Sequence, residues 1–347
     1  MRVEASRCVT PPHGPVRRAA ARWVLLAAAG LASMAMLAPR PAAAQAFPDK
    51  PVRVVVPFAA GNTLDASMRQ VAELFQRHTG QPLIIDNKPG GGGTIAAAAV
   101  ANAAPDGHTL LLSNTSMLAI NPHTFAKLPY DAEKSFRPVT GFLGASLVLA
   151  VNAEKVPATT LQQFIAWAKN PPPGGVSYAS FTAGNSSHFA GVILNKRAGL
   201  DMVHVPFNGS PPAVQNLVGG QVHAALLPLM AVKAQMEAGK LRVLAISTPK
   251  RSPLLPQVPT FVEEGFPDLE IYIWSGLSAP AGTPDAVIER LNAAFNQALS
   301  SPEIGQKWRA IDFEPLPMTP AQYGDFVRAD SRRWAEAVRL SGFKATE

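Results

Sequence analysis

The residues best suited to nucleophilic chemistry lie in Gly184-Asn-Ser186-Ser-His188, where a serine stands two positions before a histidine. A hydrolase nucleophile elbow requires Gly-x-Ser-x-Gly, because that pattern allows the strained strand-to-helix turn that exposes the hydroxyl. The second glycine is missing, since position 188 is histidine. Serine and asparagine are also the preferred residues in front of a helix. We therefore interpret the segment as the cap of a helix that opens at Ser187, with a catalytic serine as the alternative.

The histidines that follow residue 46 are too scattered to predict a metal site. They are His78, His108, His123, His188, His204 and His223. None belongs to a His-x-x-x-His pair or to a cysteine cluster, the spacings that bind transition metals. His204 and His223 lie in strand-like runs, where we expect core or edge residues. No metal is predicted.

Four consecutive glycines, Gly90–Gly93, resemble a phosphate-binding loop, but the residues around them do not fit a nucleotide. A Walker loop has a lysine before its serine or threonine, whereas Gly93 directly precedes Thr94. The third glycine of a dinucleotide fingerprint would stand at position 95, which is Ile95. We expect a flexible loop that lets the backbone approach a helix start, and no cofactor.

Three loops rich in small and hydroxyl residues each lead from a predicted strand into a helix. They are Phe58–Thr63, Ser113–Ser116 and Ser180–Ser187, and none contains lysine or arginine. In an open parallel sheet such loops gather at the carboxyl ends of the strands, where ligands bind. Free backbone N–H groups and the helix dipole attract anions there, so a carboxylate could be held without an ion pair. The alternative is that each loop only caps its helix.

Apolar runs alternate with helix-like segments from Pro51 onwards, which predicts an α/β fold with parallel strands. In the first helix, apolar residues recur at steps of 4, 3 and 4 between Leu64 and Phe75. The predicted strands are Val52–Val56, Leu83–Ile85, Thr109–Leu112, Leu147–Val151, Val176–Ala179, Met202–Val205, His223–Leu227, Arg242–Ile246 and Leu269–Ser278. The predicted helices run from Leu64 to Gly80 and over Thr94–Ala104, Thr160–Lys169, Ser187–Arg197, Pro211–Leu217, Ala231–Ala238, Pro284–Ser300 and Pro320–Leu340.

Two extended crossings, near residues 147–151 and 272–278, bracket a middle block of the chain. Such an insertion predicts two lobes joined by two strands, with a cleft between them. The expected first lobe is residues 47–147 plus 274–347, and the expected inserted lobe is residues 148–273. Hinged lobes around a cleft suit the capture of a small molecule.

Length and composition agree with such a globular protein. The 347 residues indicate about two domains, and 47% hydrophobic with 16% charged residues excludes a disordered chain. Of the 31 Lys and Arg, six lie in the first 46 residues, against one of the 24 acidic residues. The remaining 25 basic and 23 acidic side chains nearly balance. A nucleic-acid partner is therefore not expected.

The first 46 residues have the pattern of a signal peptide. Arg17, Arg18 and Arg22 precede an uncharged apolar stretch, Val24–Leu37, and small residues follow, with cleavage expected after Ala44 or Ala46. The apolar stretch is shorter than the ~20 residues of a membrane span. The sequence does not decide between export by the general secretion route and export by the twin-arginine route. The exported protein would lack cysteine, because Cys8 lies in the signal, and would need no disulfide framework.

Short motifs along the whole remaining chain resemble the substrate-binding proteins of the tripartite tricarboxylate transporters, the Bug family. They are Pro48-Asp-Lys-Pro-Val-Arg-Val-Val-Val-Pro-Phe58, Asp86-Asn-Lys-Pro-Gly-Gly91, Ala104-Pro-Asp-Gly107, Asn121-Pro122, Lys127-Leu-Pro-Tyr-Asp131, Val203-His-Val-Pro206, Gly219-Gly-Gln-Val222, Ala238-Gly-Lys-Leu-Arg242 and Ala279-Pro-Ala-Gly-Thr-Pro284. Any one of them is weak, but nine in order with family-like spacing are specific.

The resemblance implies a periplasmic solute-binding protein with a two-lobed Venus-flytrap fold and no enzymatic activity. Each lobe would be a mostly parallel sheet flanked by helices, with two strand crossovers as the hinge. It would close on a small carboxylate and, as a monomer, deliver it to a two-component integral-membrane permease. A binding protein that serves a sensor, or an exported α/β enzyme, are the alternatives. Citrate, dicarboxylates, amino acids and aromatic acids all fit such loops.

The resemblance also assigns ligand contacts to the three loops and to a turn on the inserted lobe. For Asp65 it leaves two roles open, fastening the first loop or receiving a ligand ammonium group, and a carboxylate that only complements the helix dipole is the alternative. The implied contacts are Phe58, Ala59, Ala60, Gly61, Asn62, Thr63, Asp65, Asn114, Thr115, Ser116, Thr182, Gly184, Asn185, Ser186, Ser187, His188, Phe207 and Asn208.

Two positions depart from the family pattern. The first loop has Asn62 where the family has a second glycine, which adds a side chain to the site. Leu227-Pro228 replaces an acidic-amide pair at the end of the strand after Gly219-Gly-Gln-Val222. The loss of that polar edge favours a partly apolar carboxylate over an amino acid.

Overall fold

The apolar runs and the helix patterns form ten strands and ten α-helices in a computed structural model that describes residues 47–345. The strands are β1 (Val52–Val56), β2 (Leu83–Asn87), β3 (Thr109–Asn114), β4 (Phe136–Asn152), β5 (Ser177–Ser180), β6 (Val203–Pro206), β7 (Ala224–Pro228), β8 (Leu241–Ile246), β9 (Tyr272–Pro280) and β10 (Phe313–Pro315). The helices are α1 (Thr63–Thr79), α2 (Thr94–Ala101), α3 (Asn121–Thr124), α4 (Leu161–Lys169), α5 (Ser186–Ala198), α6 (Ser210–Val218), α7 (Leu229–Glu237), α8 (Asp285–Leu299), α9 (Pro302–Arg309) and α10 (Pro320–Ser341).

The predicted signal peptide and its cleavage site lie outside the described residues. No helix within residues 47–345 is long and apolar enough to cross a bilayer.

The strands share one continuous ladder in the order β2-β1-β3-β9-β4-β7-β5-β6, with β8 and β10 also paired to β4. Strand β1 pairs in parallel with β2 and β3, and β5 pairs in parallel with β6 and β7. The central strands differ from the expected parallel arrangement, because β4 and β9 run antiparallel to their neighbours. The sheet is therefore parallel towards its outer strands and antiparallel where the chain passes through the middle.

Strand β4 belongs to two halves of this ladder. The first sheet half contains β1, β2, β3, β9, β10 and residues 136–146 of β4, and the second sheet half contains β5 to β8 and residues 147–152 of β4. Seventeen residues in one strand thus form the first crossing between the halves. Only its last third, Leu147–Val151, is predicted from the sequence pattern.

The second crossing lies beside the first and is held by one buried serine. The Ser247 amide donates to the Leu147 carbonyl at 2.8 Å, and the Ile271 amide donates to the Ser247 carbonyl at 2.8 Å. The Ser247 hydroxyl accepts from the Leu147 amide at 2.9 Å and donates to the Ile271 carbonyl at 2.6 Å. The second crossing therefore precedes β9. The sequence pattern predicts it near residues 272–278, which lie within β9.

The carboxyl ends of the parallel strands in the two halves face each other. Asn114, the last residue of β3, is opposite Ser275 of β9, which in turn is opposite Leu143 of β4. Pro228, the last residue of β7, is opposite Leu147. Four residues of extended strand, at ~3.3 Å each, place the two edges about 13 Å apart along β4. We call this space the inter-edge gap.

Helices cover both faces of the ladder. Phe75 of α1 packs against Phe295 of α8 at 4.8 Å between ring centroids, and Trp308 of α9 packs against Phe142 of β4 at 5.2 Å. On the other face, α10 buries Tyr323 and Trp334 in a hydrophobic cluster that continues from the first sheet half into the second. The core therefore joins the two halves behind the inter-edge gap.

Candidate functional site

The first loop is fixed in front of α1 by two side chains. The Asn62 Oδ1 atom accepts from the Leu64 amide at 2.9 Å, which caps the helix. Asp65 accepts from the Gly61 amide at 2.9 Å, where the backbone takes a positive φ of 83°. The Asn87 side-chain nitrogen, Nδ2, donates to the Phe58 carbonyl at 3.0 Å and to the Asp65 carboxylate at 3.1 Å. Ala59, Ala60 and Thr63 are exposed in this loop and at the first position of α1.

The structure decides the role of Asp65, which fastens the first loop. Its carboxylate is buried, and both oxygens also accept from the Arg69 guanidinium at 3.0 Å. Burial raises the pKa of Asp65, but the hydrogen bonds from Arg69, the Gly61 amide and Asn87 outweigh it and hold the pKa below its usual range. A carboxylate with all these partners has no oxygen facing a ligand ammonium group.

The second loop, at the end of β3, is tied to β9. The Thr115 hydroxyl accepts from the Trp274 amide at 2.9 Å and donates to the Trp274 carbonyl at 3.2 Å. Asn114 Oδ1 accepts from the Met117 amide at 3.0 Å. The half-buried Ser116 hydroxyl has no hydrogen-bond partner within residues 47–345. Of the three predicted contacts, Ser116 is the one with a side-chain hydroxyl available to a ligand.

Gly90–Gly93 lies next to this second loop, and Gly91–Gly93 forms a short 3-10 helix in place of the expected flexible loop. Gly93 has a φ of 93°, and a Cβ there would lie 2.6 Å from the Met117 sulfur. Asn121 donates to the Gly92 carbonyl at 3.4 Å. Only glycine fits at position 93.

The third loop opens α5 with Asn185 as its cap, one residue earlier than predicted. Asn185 Oδ1 accepts from the His188 amide at 3.0 Å, and the Ser187 hydroxyl donates to the Leu226 carbonyl of β7. Asn185 is buried, yet its Nδ2 donor has no partner among the described residues. Ser186 likewise forms no side-chain hydrogen bond in that part of the chain, and Thr182 is exposed. Two donors are thus left at the start of a 13-residue helix.

His188 lies behind this loop and does not face Ser186 as a base. Its ring stacks on His204 with centroids 3.8 Å apart and planes at 12°, and its Nδ1 accepts from the Gly184 amide at 3.2 Å. Burial, with the neighbouring His204, lowers the pKa of His188 to about 4. Burial lowers the pKa of His204 to about 4 as well. The two rings therefore support the loop as a neutral stack. His204 lies partly buried on β6, the edge strand, in line with the expected core or edge residue.

The turn after β6 completes the edge of the second sheet half. The Phe207 amide donates to the Ser180 carbonyl at 3.0 Å, and the Gly209 amide donates to the Phe181 carbonyl at 2.8 Å. Phe207 is half-buried and Asn208 is exposed. This turn therefore lies directly beside the third loop, as the predicted contacts require.

The predicted site residues fall into two groups by their hydrogen bonds. Asn62, Asp65, Thr115, Ser187 and His188 fix the loops. A second group presents backbone or side-chain donors without partners in the described part of the chain: Thr63, Ser116, Asn185 through Nδ2, Ser186 and Asn208. The three loops contain no lysine or arginine. Helices α1 and α5, 17 and 13 residues long, begin at the two edges, and the positive ends of their dipoles suit an anion.

One residue at the gap was missed by the sequence analysis. Ser275 of β9 is opposite Asn114, is buried, and its hydroxyl has no partner within residues 47–345. Its sequence context, Trp274-Ser-Gly276, carries no signal of a site. Only the register of β9 against β3 reveals its position.

The inference that the lost polar edge at Leu227-Pro228 favours a partly apolar carboxylate has no basis at Leu227. Its side chain is fully buried in the hydrophobic cluster of the second sheet half, with Val148 and Ala179. The alternation of a strand turns Leu227 to that core. The residue therefore provides no basis for preferring one carboxylate over another.

A groove of about 660 Å³ lies away from all the predicted contacts. It runs between the segment 125–138 and α10, and its lining includes Phe125, Tyr130, Lys134 and Arg328. Both cations already have partners, since Lys134 lies 3.8 Å from Asp131 and Arg328 contacts Asp325. Of the buried side chains that lack a hydrogen-bond partner within residues 47–345, Asn185 and Ser275 are at the inter-edge gap, and the other two, His108 and Arg333, are not among the predicted contacts. The pair at the gap is why we place the candidate site there.

The stacked histidines predict a loss of stability on acidification. The pKa of a histidine in the unfolded chain is about 6.5. Between pH 6.5 and 4 the unfolded chain therefore binds more protons than the folded chain. The stabilisation is complete above pH 6.5 and declines as the pH falls towards 4. In urea unfolding, this pair should make the free energy of unfolding about 2–4 kcal/mol lower at pH 5 than at pH 7.5. The difference should shrink in His204→Gln and persist in His78→Gln, which changes an exposed histidine. Equal pH dependence in both variants would contradict the assignment of this effect to the His188–His204 stack.

Comparisons with known proteins agree with this geometry. Residues 67–343 match the profile described as the tripartite tricarboxylate transporter family receptor. The Bordetella pertussis protein BugT is 34% identical over 322 residues, which is 92% of this chain and 96% of BugT.

Solved structures are similar over nearly their whole length. One described as a periplasmic transporter has a TM-score of 0.75 and 37% identity, with 86% of this chain and 99% of that chain covered. An R. palustris protein with adipate has a TM-score of 0.76, 32% identity and the same two coverages. MatC from Rhodopseudomonas palustris with bound malate has a TM-score of 0.71 and 32% identity, with 84% of this chain and 100% of that chain covered.

Proposed function

This chain belongs to the tripartite tricarboxylate transporter receptor family, and from that premise we propose that it captures a small carboxylate in the periplasm and delivers it to a membrane permease. The family consists of periplasmic binding proteins with a two-lobed fold, so the chain is a binding protein and not an enzyme. The permease would be the two-component integral-membrane partner, which the protein would meet as a monomer.

The proposed lobes follow the two sheet halves. Residues 47–147 with 274–347 would form the first lobe, and residues 148–273 the second. The adjacent crossings at Leu147 and at Ser247–Ile271 support this division, because they are the two points at which the chain passes from one half to the other. Rotation about these crossings would open and close the inter-edge gap.

The observation that carries the proposal is the pair of helix starts at opposite edges of the gap. Donors without partners, Asn185 Nδ2 and the Ser186 hydroxyl, accompany the start of α5 in the described part of the chain. Asn62 and Thr63 stand at the start of α1. Each start can hold one carboxylate by backbone N–H groups and dipole, without a cation.

A short aliphatic dicarboxylate is the first ligand class to test. Relatives with 32% identity are solved with adipate and with malate, which are both dicarboxylates. Edges about 13 Å apart along β4 leave room for such a molecule between two donor groups. The loops carry no feature that would recognise an amino group, since the Asp65 carboxylate is already occupied.

A thermal-shift screen of the purified protein tests the proposal. The panel should contain aliphatic, aromatic and amino carboxylates, each with its uncharged amide as the matched control. A ligand at 1,000 times its dissociation constant adds about 4 kcal/mol of stability. At ~2–4 °C per kcal/mol this is a rise of roughly 8–16 °C in the midpoint. We expect one carboxylate series to shift the midpoint and its amides not to.

Prior unfolding and refolding removes any ligand carried from the host. No shift with any carboxylate after that step, or an equal shift with the amide, would contradict carboxylate binding.

A further inference from the structure

The last described residues form a strap that leaves α10 and returns to the first sheet half. Gly342 ends the helix with a φ of 64°, and the Phe343 amide donates to the Ser341 hydroxyl at 3.0 Å. Two residues later, the Ala345 amide donates to the Thr124 carbonyl of α3 at 3.0 Å. Both ends of the strap are thus bonded to elements that pack on the first sheet half, α10 and α3, and α10 also packs on α5 of the second half.

The side chain of the strap, in contrast, packs on the second sheet half. The Phe343 ring meets His188 edge-on, with centroids 5.3 Å apart, and Phe189 in the same way at 5.9 Å. Both partners belong to the first turn of α5. The backbone of Phe343 is therefore held by one half and its ring by the other.

Phe343 also closes over the turn that precedes α5. A Cβ at Gly184 would lie 2.6 Å from the Phe343 Cε1 atom, so the ring sits directly against the glycine backbone. Gly184 has a φ of 72° and donates its amide to His188 Nδ1. The same ring thus touches both partners of that hydrogen bond.

We propose that Phe343 is a positioning residue, which holds the turn Gly184–His188 in its ligand-binding shape only while the two sheet halves keep this arrangement. The proposal rests on the function proposed above, because it gives that turn its ligand. When the halves separate, the strap stays with the first half and the ring leaves the turn. Ordering of the α5 start is then coupled to closure, and a ligand that needs the ordered turn favours the closed arrangement.

Hydrogen exchange of the ligand-free protein tests the contact itself. In Phe343→Ala, the amides of Gly184, His188 and Phe189 should exchange about tenfold faster. The matched control is Phe326→Ala on α10, the helix that precedes the strap; its half-buried ring packs on Trp274 at 5.5 Å instead of on α5. That variant should keep the wild-type protection of the three amides. A role confined to general stability would change both variants alike and would overturn the proposal, as would unchanged protection in Phe343→Ala.

Adipate titration adds the functional readout. Adipate affinity should fall about tenfold in Phe343→Ala and stay within about twofold of wild type in Phe326→Ala. Wild-type protein that binds no carboxylate refutes the proposed function, whereas the exchange rates still decide the role of Phe343. If Phe343→Ala does not fold, the same exchange is measured on Phe343→Leu. A partial acceleration at Gly184 and His188 is expected there, and wild-type protection would overturn the proposal.

Discussion

Replacing Thr63 with aspartate is expected to weaken carboxylate binding about a hundredfold without destabilising the protein. Thr63 is the exposed first residue of α1, at the edge of the inter-edge gap. A new charge about 5 Å from a ligand carboxylate costs about 3 kcal/mol at an effective dielectric constant of ~20. That energy corresponds to a loss of about a hundredfold in affinity. The fold should tolerate the change, because an acidic residue in the first turn of a helix is favourable.

The matched control for this variant is Ala321→Asp. Ala321 is exposed in the first turn of α10, so it receives the same charge in the same helical context, away from the gap. Calorimetric titration with the carboxylate from the thermal-shift screen measures both affinities. Wild-type affinity in Thr63→Asp, or an equal loss in Ala321→Asp, would show that the ligand does not approach the start of α1.

Replacing Asp330 with alanine is expected to cause the largest loss of stability among single substitutions at polar residues, about 3–5 kcal/mol. Asp330 of α10 is buried, and its Oδ2 atom accepts from the indole N–H groups of Trp274 at 2.6 Å and Trp334 at 3.0 Å. Its other oxygen accepts from Arg333. Without the carboxylate, two buried indole donors lose their partner, and the Arg333 guanidinium keeps only the Glu270 carbonyl.

Urea unfolding of Asp330→Ala and Asp325→Ala separates this effect from a general effect of charge. Asp325 lies on the same helix but is exposed, and it pairs with the exposed Arg328. Surface pairs of this kind contribute about 0–1 kcal/mol. Equal free energies of unfolding in the two variants would mean that the hydrogen bond from Trp274 of β9 to Asp330 does not fasten α10 to the sheet.

Local sequence patterns predicted most strands and helices, and they failed where tertiary contacts override local preference. The strand Val52–Val56 has the predicted bounds, because a β-branched run between two prolines favours a strand and the prolines fix its ends. The first eleven residues of β4 were missed, since Pro138, Gly141 and Gly144 read as strand breakers. The structure explains Gly141, where a Cβ would lie 2.5 Å from the Leu316 carbonyl oxygen. A long-range approach of backbone is invisible in the local pattern.

The same distinction holds for the site. The family resemblance and the loops after β1, β3 and β5 could be recognised from motifs and from the order of elements. Which groups remain available to a ligand could not, because that depends on partners far away in the chain. Thr115 is occupied by Trp274, whereas the hydroxyl of the neighbouring Ser116 has no partner within residues 47–345. Ser275 joins the site only through the register of β9.

A crystal structure of the protein with the carboxylate from the screen tests the central claim most directly. We expect the carboxylate oxygens within about 3 Å of backbone N–H groups at the starts of α1 and α5, next to Thr63 and Asn185. The ligand should contact no lysine or arginine. Density for the ligand in the groove between residues 125–138 and α10, with the inter-edge gap unoccupied, would contradict the account.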